Sequence, residues 1–465
     1  MLKQLAVALF LLATPAAAEP IIPDTPAGHA MADFVAAFNA GDRASLEAFS
    51  AKYHRNRPVD GLLDFREQTG GIDVLKIESS TPGEIRAFVR AKESDMVLRY
   101  VAKVDPTDPA KPYDGYMEGG VQTPPEFVPV RLSDADVLTA LSARATALNT
   151  RDRFAGNVLI ARHGRIVFEK SWGLANRETK TPIDLSMKFR LGSMDKMFTA
   201  VSILQLVAQG KLSLDGTVGT YLPDYPNKDL AAKATVRELL NHTAGAGDIF
   251  GPDFDAHRLE LKTIADYVKL YGARAPEHEP GATDGYDNYG FVLLGAIVEK
   301  VSGVDYYQYV RDHIFRPAGM TDTDSLPDDG TIPGLVQGYM KKDGALVRNT
   351  DTLPFRGSPA GGGYSTVGDL LKFARALQSG KLLPTALLAE ATRPENHGRW
   401  YGYGFETHAD DAAHAFGHSG GAPGMNAELR IFPDQDVVFV AVSNVDGAGA
   451  SVLADYYGFR MPLKP

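Results

Sequence analysis

The chain has 465 residues, of which 44% are hydrophobic and 23% charged, so it is long enough for one large domain and a smaller one. A formal net charge of -10, with no run of basic residues, excludes the electrostatic footprint of a nucleic-acid-binding protein. The chain contains no cysteine. This excludes disulfides, a thiolate nucleophile and cysteine-ligated zinc, so the fold depends on its core alone.

The first residues have the pattern of a secretory signal, in which Lys3 precedes a short apolar run over residues 5–12 and small residues follow up to Ala18. This order predicts a signal peptide over residues 1–18 that is cleaved after Ala18. An N-terminal membrane anchor is the alternative, but the apolar run is shorter than the roughly 20 residues that a spanning helix needs. We therefore expect a secreted or periplasmic protein with no stable membrane span after cleavage.

Residues 28–121 are predicted to form a small α+β accessory domain. Apolar residues at helical spacing over 30–49, interrupted by a turn at 39–42, predict two short helices. Short β-rich runs follow at 72–78, 85–90, 96–104 and 113–117. The phrase at 37–42 resembles the opening of cystatin-like cone domains. Paired carboxylates and histidines are not evident in this unit, so we expect a structural or accessory role.

A Pro-rich stretch over 122–129 is the predicted linker to a second domain over 134–465. Its first predicted elements are a helix over 134–149 and a hairpin formed by 156–162 and 165–171. A buried helix is then predicted from Met197 to a point before Gly210, because apolar residues recur there at helical spacing.

Ser193 and Lys196 stand three residues apart at the start of this buried helix. That spacing points a hydroxyl and an amine to one face of the helix, as a nucleophile and its proton acceptor require. The helix N-terminus also favours a developing oxyanion, because its N–H groups are unpaired and its dipole is positive there. Taken alone, the pair is a common coincidence, and a capping serine beside an exposed lysine is the alternative.

Two later triplets favour the catalytic interpretation of Ser193 and Lys196. Tyr286 and Asn288 bring a phenol and an amide to the loop before a helical run at 291–301. His418, Ser419 and Gly420, followed by Gly421, precede the strand predicted at 437–442.

With these triplets the chain resembles the serine β-lactamase and penicillin-binding superfamily. Its three motifs, S-x-x-K, Y-x-N and K-T-G or H-x-G, occur here in that order. The branch resembled is that of the class C β-lactamases, the D-alanyl-D-alanine carboxypeptidases, the D-aminopeptidases and related esterases. Shorter phrases at 171–176, 210–215, 221–226, 239–245 and 359–366 agree, and the likeness covers about residues 150–445.

The resemblance implies an α+β fold with a five-stranded antiparallel sheet flanked by helices, and a largely helical lobe that carries Tyr286. It implies that Ser193 is the nucleophile, and that Lys196 and Tyr286 share its proton. Which of the two is the base stays open. Asn288 is expected to hold Lys196 and the substrate.

The remaining site residues belong to the third motif. The oxyanion hole would be formed by the backbone N–H groups of Ser193 and Gly421. His418, Ser419 and Gly420 are expected to bind the substrate, with glycine allowing a close approach of the backbone.

His418 is a departure from the β-lactamase pattern, which has lysine there. A histidine that is mostly neutral near pH 7 supplies little charge for a substrate carboxylate. We therefore expect an ester substrate first, a D-amino-acid peptide second and a β-lactam third. A core histidine with no role in binding is the alternative for His418.

The predicted activity is that of an exported serine hydrolase acting on a small-molecule ester or peptide, with no cofactor and no metal. The other histidines show no metal-ligand spacing. The competing class is a non-catalytic binding protein on the same fold. Substrate identity and oligomeric state stay open.

Overall fold

A computed structural model describes residues 20–108, 111–119, 121–329, 332–342, 344–408 and 413–464. The predicted signal peptide lies outside these residues. The chain divides into two compact units, Met1–Val128 and Pro129–Pro465. Among the residues described, every helix is too short or too polar to cross a membrane.

The N-terminal unit consists of helices followed by an antiparallel sheet. Its helices are α1 (Pro26–Ala40), α2 (Arg43–Lys52) and α3 (Asp60–Thr69). Its strands are β1 (Ile72–Ser80), β2 (Glu84–Ala91), β3 (Val97–Lys103) and β4 (Asp114–Glu118), paired in the order β1-β2-β3-β4. A short 3₁₀ turn, Pro125–Phe127, follows the sheet. The four strands and the first two helices lie where the sequence predicts them.

Local chemistry accounts for the turn between α1 and α2. Gly41 ends α1 with a φ of 74°, a left-handed conformation that glycine adopts without strain. The Asp42 side chain then accepts a hydrogen bond from the N–H of Ser45 and caps α2. The sequence gives no such signal for α3, whose N-cap residue Val59 makes no side-chain cap, and that helix was not predicted.

Rings from helix and sheet form the core of this unit. Phe34 of α1 stacks on Phe38 at 5.4 Å and on Tyr100 of β3 at 4.9 Å between ring centroids. All three are buried. These rings pack the first helix against the sheet, and the structural or accessory role of the unit stays a prediction.

The second unit has a central sheet and a helical lobe. Its strands are β5 (Gly156–Arg162), β6 (Arg165–Trp172), β7 (Leu174–Asn176), β8 (Thr181–Pro182), β9 (Phe189–Arg190), β10 (Tyr339–Lys342), β11 (Ala345–Arg348), β12 (Tyr364–Ser365), β13 (Glu406–His408), β14 (Ala415–Ala422), β15 (Met425–Phe432) and β16 (Val437–Ser443). Its helices are α4 (Asp134–Thr150), α5 (Asp195–Ala208), α6 (Val218–Tyr221), α7 (Lys228–Lys233), α8 (Val236–Leu240), α9 (Pro252–His257), α10 (Ile264–Tyr271), α11 (Asn288–Ser302), α12 (Tyr306–Val310), α13 (Arg316–Ala318), α14 (Val367–Gln378), α15 (Thr385–Ala391) and α16 (Gly449–Arg460).

Within the described residues, the central sheet has six strands in the order β13-β14-β15-β16-β5-β6, all antiparallel. The expected number, five, was wrong by one, because the short strand β13 pairs with the edge of β14. Successive side chains of β5 point to opposite faces of the sheet, and each face has its own hydrophobic cluster. Val158 and Ile160 belong to one cluster, and Leu159 and Ala161 belong to the other. Helices α4 and α16 pack on the first side, and α5 belongs to the second.

The segment between α5 and β14 is largely helical, as expected. Within it, α11 packs against α5 and α8. This packing brings the N-terminus of α11, and with it the loop that carries Tyr286, to the start of α5.

Candidate active site

Ser193 lies in a 3₁₀ turn, Gly192–Met194, immediately before α5. Gly192 has a φ of 55°, and a Cβ atom there would lie 2.7 Å from the Gly421 nitrogen. A Cβ atom at Gly420 would lie 1.8 Å from the Leu191 carbonyl oxygen. Only glycine at these two positions lets β14 approach the turn so closely that both backbones border Ser193.

Lys196, in the first turn of α5, is fully buried. Its Nζ lies 3.3 Å from Ser193 Oγ, 2.7 Å from Asn288 Oδ1 and 2.6 Å from the carbonyl oxygen of Ala360. Burial lowers the pKa of Lys196 to about 7, although Asp248, Asp287 and other carboxyl groups oppose the fall. A large fraction of Lys196 is therefore neutral near pH 7.

The partners of a neutral Lys196 determine where its lone pair points. A neutral amine has two N–H donors and one lone pair, and the Asn288 and Ala360 oxygens can only accept. Both N–H groups are therefore used by these two oxygens. The lone pair is left for the Ser193 hydroxyl, which is the third neighbour.

Asp248 fixes the orientation of Asn288. Its Oδ1 accepts a hydrogen bond of 2.8 Å from Asn288 Nδ2, so the amide oxygen must face Lys196. Sequence reasoning missed Asp248, because its position in a loop between short helices carries no motif. Ala360 belongs to the phrase at 359–366, whose sequence indicates no role for a single carbonyl group.

Tyr286 lies directly before α11, with its ring centroid 4.8 Å from Lys196 Nζ. Desolvation raises the pKa of the Tyr286 hydroxyl well above its ordinary value, and a hydrogen bond with Ser193 opposes the rise. The residue is 40% exposed. Tyr286 is thus a protonated phenol at rest, in contact with both Ser193 and Lys196.

Glu406 lies at the edge of β14 that borders the Ser193 turn. The Ser419 N–H donates to Glu406 Oε2 at 3.0 Å. Because alternate residues of a strand point their N–H groups to the same edge, the N–H of Gly421 points the same way. It lies beside Gly192. The Gly421 N–H can therefore serve as the second donor of an oxyanion hole, with the Ser193 N–H as the first.

His418 occupies a different environment from the one expected. It is 1% exposed; Nδ1 lies 2.5 Å from the Ser419 carbonyl oxygen and Nε2 lies 2.7 Å from Tyr401 Oη. Since a carbonyl only accepts, Nδ1 carries the hydrogen and Nε2 accepts from Tyr401. Burial lowers the pKa of His418 well below its ordinary value. The ring is neutral and has no free donor for substrate, so it supports Tyr401 instead.

The Ser419 side chain is also committed within the protein. Its hydroxyl donates to Glu406 Oε1 at 2.6 Å. This hydroxyl therefore attaches β14 to Glu406, and the part of Ser419 in substrate binding stays a prediction. Glu406 itself was missed, because a single acidic residue after a Gly-rich aromatic stretch carries no signal of its own.

Glu406, His408 and Glu428 come closest to a metal-ligand set among the described residues, with ligand atoms within 4.8 Å of one another. Arg430 already donates to Glu428 Oε1 at 2.8 Å. A guanidinium thus supplies positive charge beside this cluster.

Comparisons with known proteins identify the relatives of this chain. The sequence profile of the Beta-lactamase family matches residues 140–458. Penicillin-binding protein 4* of Bacillus subtilis (strain 168) is 30% identical over 318 residues, which cover 64% of this chain and 69% of that protein. Esterase EstB of Burkholderia gladioli is 27% identical, covering 56% of this chain and 76% of that protein.

A solved structure is similar over most of the second unit. The D-amino acid amidase from Ochrobactrum anthropi SV3, complexed with D-phenylalanine, aligns with a TM-score of 0.60 and 25% identity. The alignment covers 70% of this chain and 98% of that one. Fold and site together define a serine hydrolase. The chain belongs to the Beta-lactamase family.

Proposed function

We propose that this protein is an exported hydrolase that cleaves small esters through an acyl-enzyme on Ser193. The observation that carries the proposal is the buried amine of Lys196, whose two N–H groups are taken by Asn288 and Ala360. This arrangement leaves its lone pair for the Ser193 hydroxyl at 3.3 Å. A serine activated in this way is a nucleophile for an acyl carbon.

Acylation begins with transfer of the Ser193 proton to Lys196. Ser193 Oγ bonds to the acyl carbon, and the resulting oxyanion accepts hydrogen bonds from the N–H groups of Ser193 and Gly421. Tyr286 donates its phenolic proton to the leaving oxygen as the acyl carbon–oxygen bond breaks. Tyr286 recovers a proton from the Lys196 ammonium, so the alcohol leaves and both groups return to their resting states.

Deacylation reverses the proton path. Tyr286 passes its phenolic proton to Lys196 and takes a proton from water as the water oxygen bonds to the acyl carbon. The bond to Ser193 Oγ then breaks, and the Lys196 ammonium returns a proton to Ser193. Lys196 is the base in this account, because Tyr286 holds its proton more strongly while the pKa of Lys196 is lowered to about 7.

An ester is favoured over a β-lactam because a β-lactam brings a carboxylate to the third motif, and His418 supplies no positive charge there. His418 is neutral and its two ring nitrogens bond Ser419 and Tyr401. Burying a carboxylate without a partner is costly. The similarity to an esterase supports the same choice.

A D-aminoacyl amide is the second candidate, and Asp248 favours it. This carboxylate lies beside the catalytic amide of Asn288 and raises the pKa of Lys196 by its charge. The same charge can pair with the ammonium of an aminoacyl substrate. The similarity to a D-amino acid amidase supports this candidate.

A panel assayed side by side tests the proposal. It contains short acyl p-nitrophenyl esters, a D-aminoacyl amide, a D-alanyl-D-alanine peptide and a chromogenic cephalosporin. We expect kcat/KM to be highest for the esters and lowest for the cephalosporin. A higher value for the D-aminoacyl amide selects the second candidate, and no turnover of any member supports a non-catalytic binding protein.

A further inference from the structure

Two exposed aromatic rings border the catalytic centre. Tyr286 is 40% exposed and Trp400 is 36% exposed, whereas the neighbouring Tyr401 and Tyr403 are fully buried. The Tyr286 and Trp400 ring centroids are 6.4 Å apart, and the ring planes differ by 26°. We call this pair the aromatic surface. Catalysis as described above uses the Tyr286 hydroxyl but neither ring face.

Buried aromatic rings pack against the aromatic surface. His242 has no exposed area, and its ring lies 4.2 Å from Tyr286 and 6.2 Å from Trp400 between centroids. Tyr401 meets Trp400 edge-on at 5.0 Å. The His242 ring is neutral, because burial lowers its pKa well below the ordinary value. The two exposed rings thus rest on a packed layer.

Backbone hydrogen bonds tie the Trp400 segment to the segment that leads to Tyr286. The Asp284 carboxylate accepts from the N–H groups of His397 at 2.9 Å and Gly398 at 2.6 Å. Asn396 Oδ1 accepts from the Trp400 N–H at 3.0 Å. The two segments that carry the rings are therefore joined before a ligand arrives, which reduces the ordering cost of binding.

The position of Tyr286 decides which part of a substrate meets the surface. In the proposed reaction its hydroxyl protonates the leaving group, so the leaving group must lie next to this ring. The Trp400 ring lies 6.4 Å from the Tyr286 ring between centroids, and Lys196 Nζ lies 4.8 Å from the Tyr286 centroid. An aromatic leaving group can pack on both rings while its oxygen stays beside the Tyr286 hydroxyl.

We propose that Tyr286 and Trp400 form a binding subsite for an aromatic leaving group, and that the enzyme prefers esters of aryl-bearing alcohols. This inference rests on the proposed function. In the reaction, Ser193 Oγ bonds to the acyl carbon, the bond to the alcohol oxygen breaks, and the alcohol leaves with the proton from Tyr286. A ring packed on an aromatic side chain gives a preference of roughly three- to tenfold.

The test compares benzyl acetate with cyclohexylmethyl acetate. Both form the same acetyl-enzyme, so a difference in kcat/KM reports recognition of the leaving group alone. Each value is divided by the rate of alkaline hydrolysis of the same ester. We expect wild type to prefer the benzyl ester by about three- to tenfold. Trp400→Leu is expected to bring the preference within about twofold, because it removes one of the two rings.

Trp172→Phe is the matched control. Trp172 is the only other tryptophan in the chain, and it packs edge-on against Phe154 at 5.9 Å. This variant is expected to keep the wild-type preference. No preference in wild type, or a preference that survives Trp400→Leu, overturns the subsite. A second pair, methyl phenylacetate and methyl cyclohexylacetate, carries the ring in the acyl group instead of the leaving group. A Trp400-dependent preference that occurs only in this second pair overturns the assignment of the subsite to the leaving group.

A binding measurement separates failure of the subsite from failure of the proposed function. In the double variant Ser193→Ala, Trp172→Phe, Trp400 is the sole tryptophan, and its fluorescence is titrated with the two acetate esters. We expect benzyl acetate to change the emission at a roughly three- to tenfold lower concentration than cyclohexylmethyl acetate. Equal titration curves, or unchanged emission, overturn the subsite. Absence of turnover by wild type overturns the proposed function independently.

Discussion

Lys196 is an amine held where its charged form is unfavourable. Burial lowers its pKa to about 7 from 10.5, so between these values the unfolded chain binds a proton that the native protein does not. Titration of this group therefore increases the free energy of unfolding as the pH rises from about 7 to 10.5. Near neutral pH, burial of this amine costs stability, and the same burial makes it a base.

Replacing Lys196 with methionine should separate these two effects. We expect Lys196→Met to lower kcat by at least about 10³-fold, because the proton acceptor is lost. The melting temperature at pH 8 should not fall much, since removing the buried amine offsets the loss of its bonds to Asn288 and Ala360. Activity assays and thermal unfolding of both proteins check this. Retained turnover would show that another base is used.

The charge of Asp248 should be visible in the pH profile. Asp248 is the largest charged influence that raises the pKa of Lys196. Wild-type kcat/KM is expected to rise with pH through about 7 as Lys196 loses its proton. Asp248→Asn keeps an oxygen for Asn288 but removes the charge, so the rise should move to lower pH by about one unit.

The control for this profile is Asp215→Asn, at an exposed ion pair with Arg237. It should leave the midpoint in place. A midpoint that moves to higher pH in Asp248→Asn, or that does not move, contradicts the assignment of Lys196 as the titrating base.

At the scale of elements, the approach of β14 to the turn before α5 depends on glycine. A Cβ atom at Gly420 would lie 1.8 Å from the Leu191 carbonyl oxygen and 3.1 Å from the Ser193 nitrogen, whereas one at Gly421 would have no neighbour within 4 Å. These adjacent positions therefore offer a matched pair of variants.

Gly420→Ala should push the strand away from Ser193 and lower kcat by about 10²-fold, since a displacement of about 1 Å is that costly to a catalytic geometry. The melting temperature should fall as well. Gly421→Ala should keep the wild-type melting temperature. Thermal unfolding and ester hydrolysis measure both effects, and equal destabilisation by the two substitutions contradicts the steric account.

Elements also show how far the sequence could predict this protein. Helix α5, the hairpin of β5 and β6 and the strands of the N-terminal unit follow from apolar periodicity and turn residues. The side-chain orientations of His418 and Ser419 do not, because they depend on Tyr401 and Glu406, which are distant from them along the chain. The signals for α3 and β13 were too weak, as one has no side-chain cap and the other has three residues.

At the scale of the whole molecule, each unit has its own hydrophobic core. The chain divides between Val128 and Pro129, at the end of the Pro-rich stretch that predicts a linker. The whole proposed site, from Ser193 to Gly421, belongs to the second unit. The cystatin-like cone remains a prediction for the first.

A fragment that begins at Pro129 should therefore fold and hydrolyse esters. A unit with its own core can fold alone, so we expect kcat/KM for short esters within about threefold of the full chain. Circular dichroism checks folding, and the ester assay checks activity. A folded fragment that lacks activity would show that the N-terminal unit takes part in the reaction.

Labelling by a fluorophosphonate probe tests the central claim most directly. Intact-protein mass spectrometry should show one adduct on wild type, and peptide mapping should place it on Ser193. Ser193→Ala should show none, while a matched substitution at Ser213, outside the site, should label like wild type. An adduct that persists in Ser193→Ala, or ester turnover that survives this substitution, would contradict the assignment of Ser193 as the nucleophile.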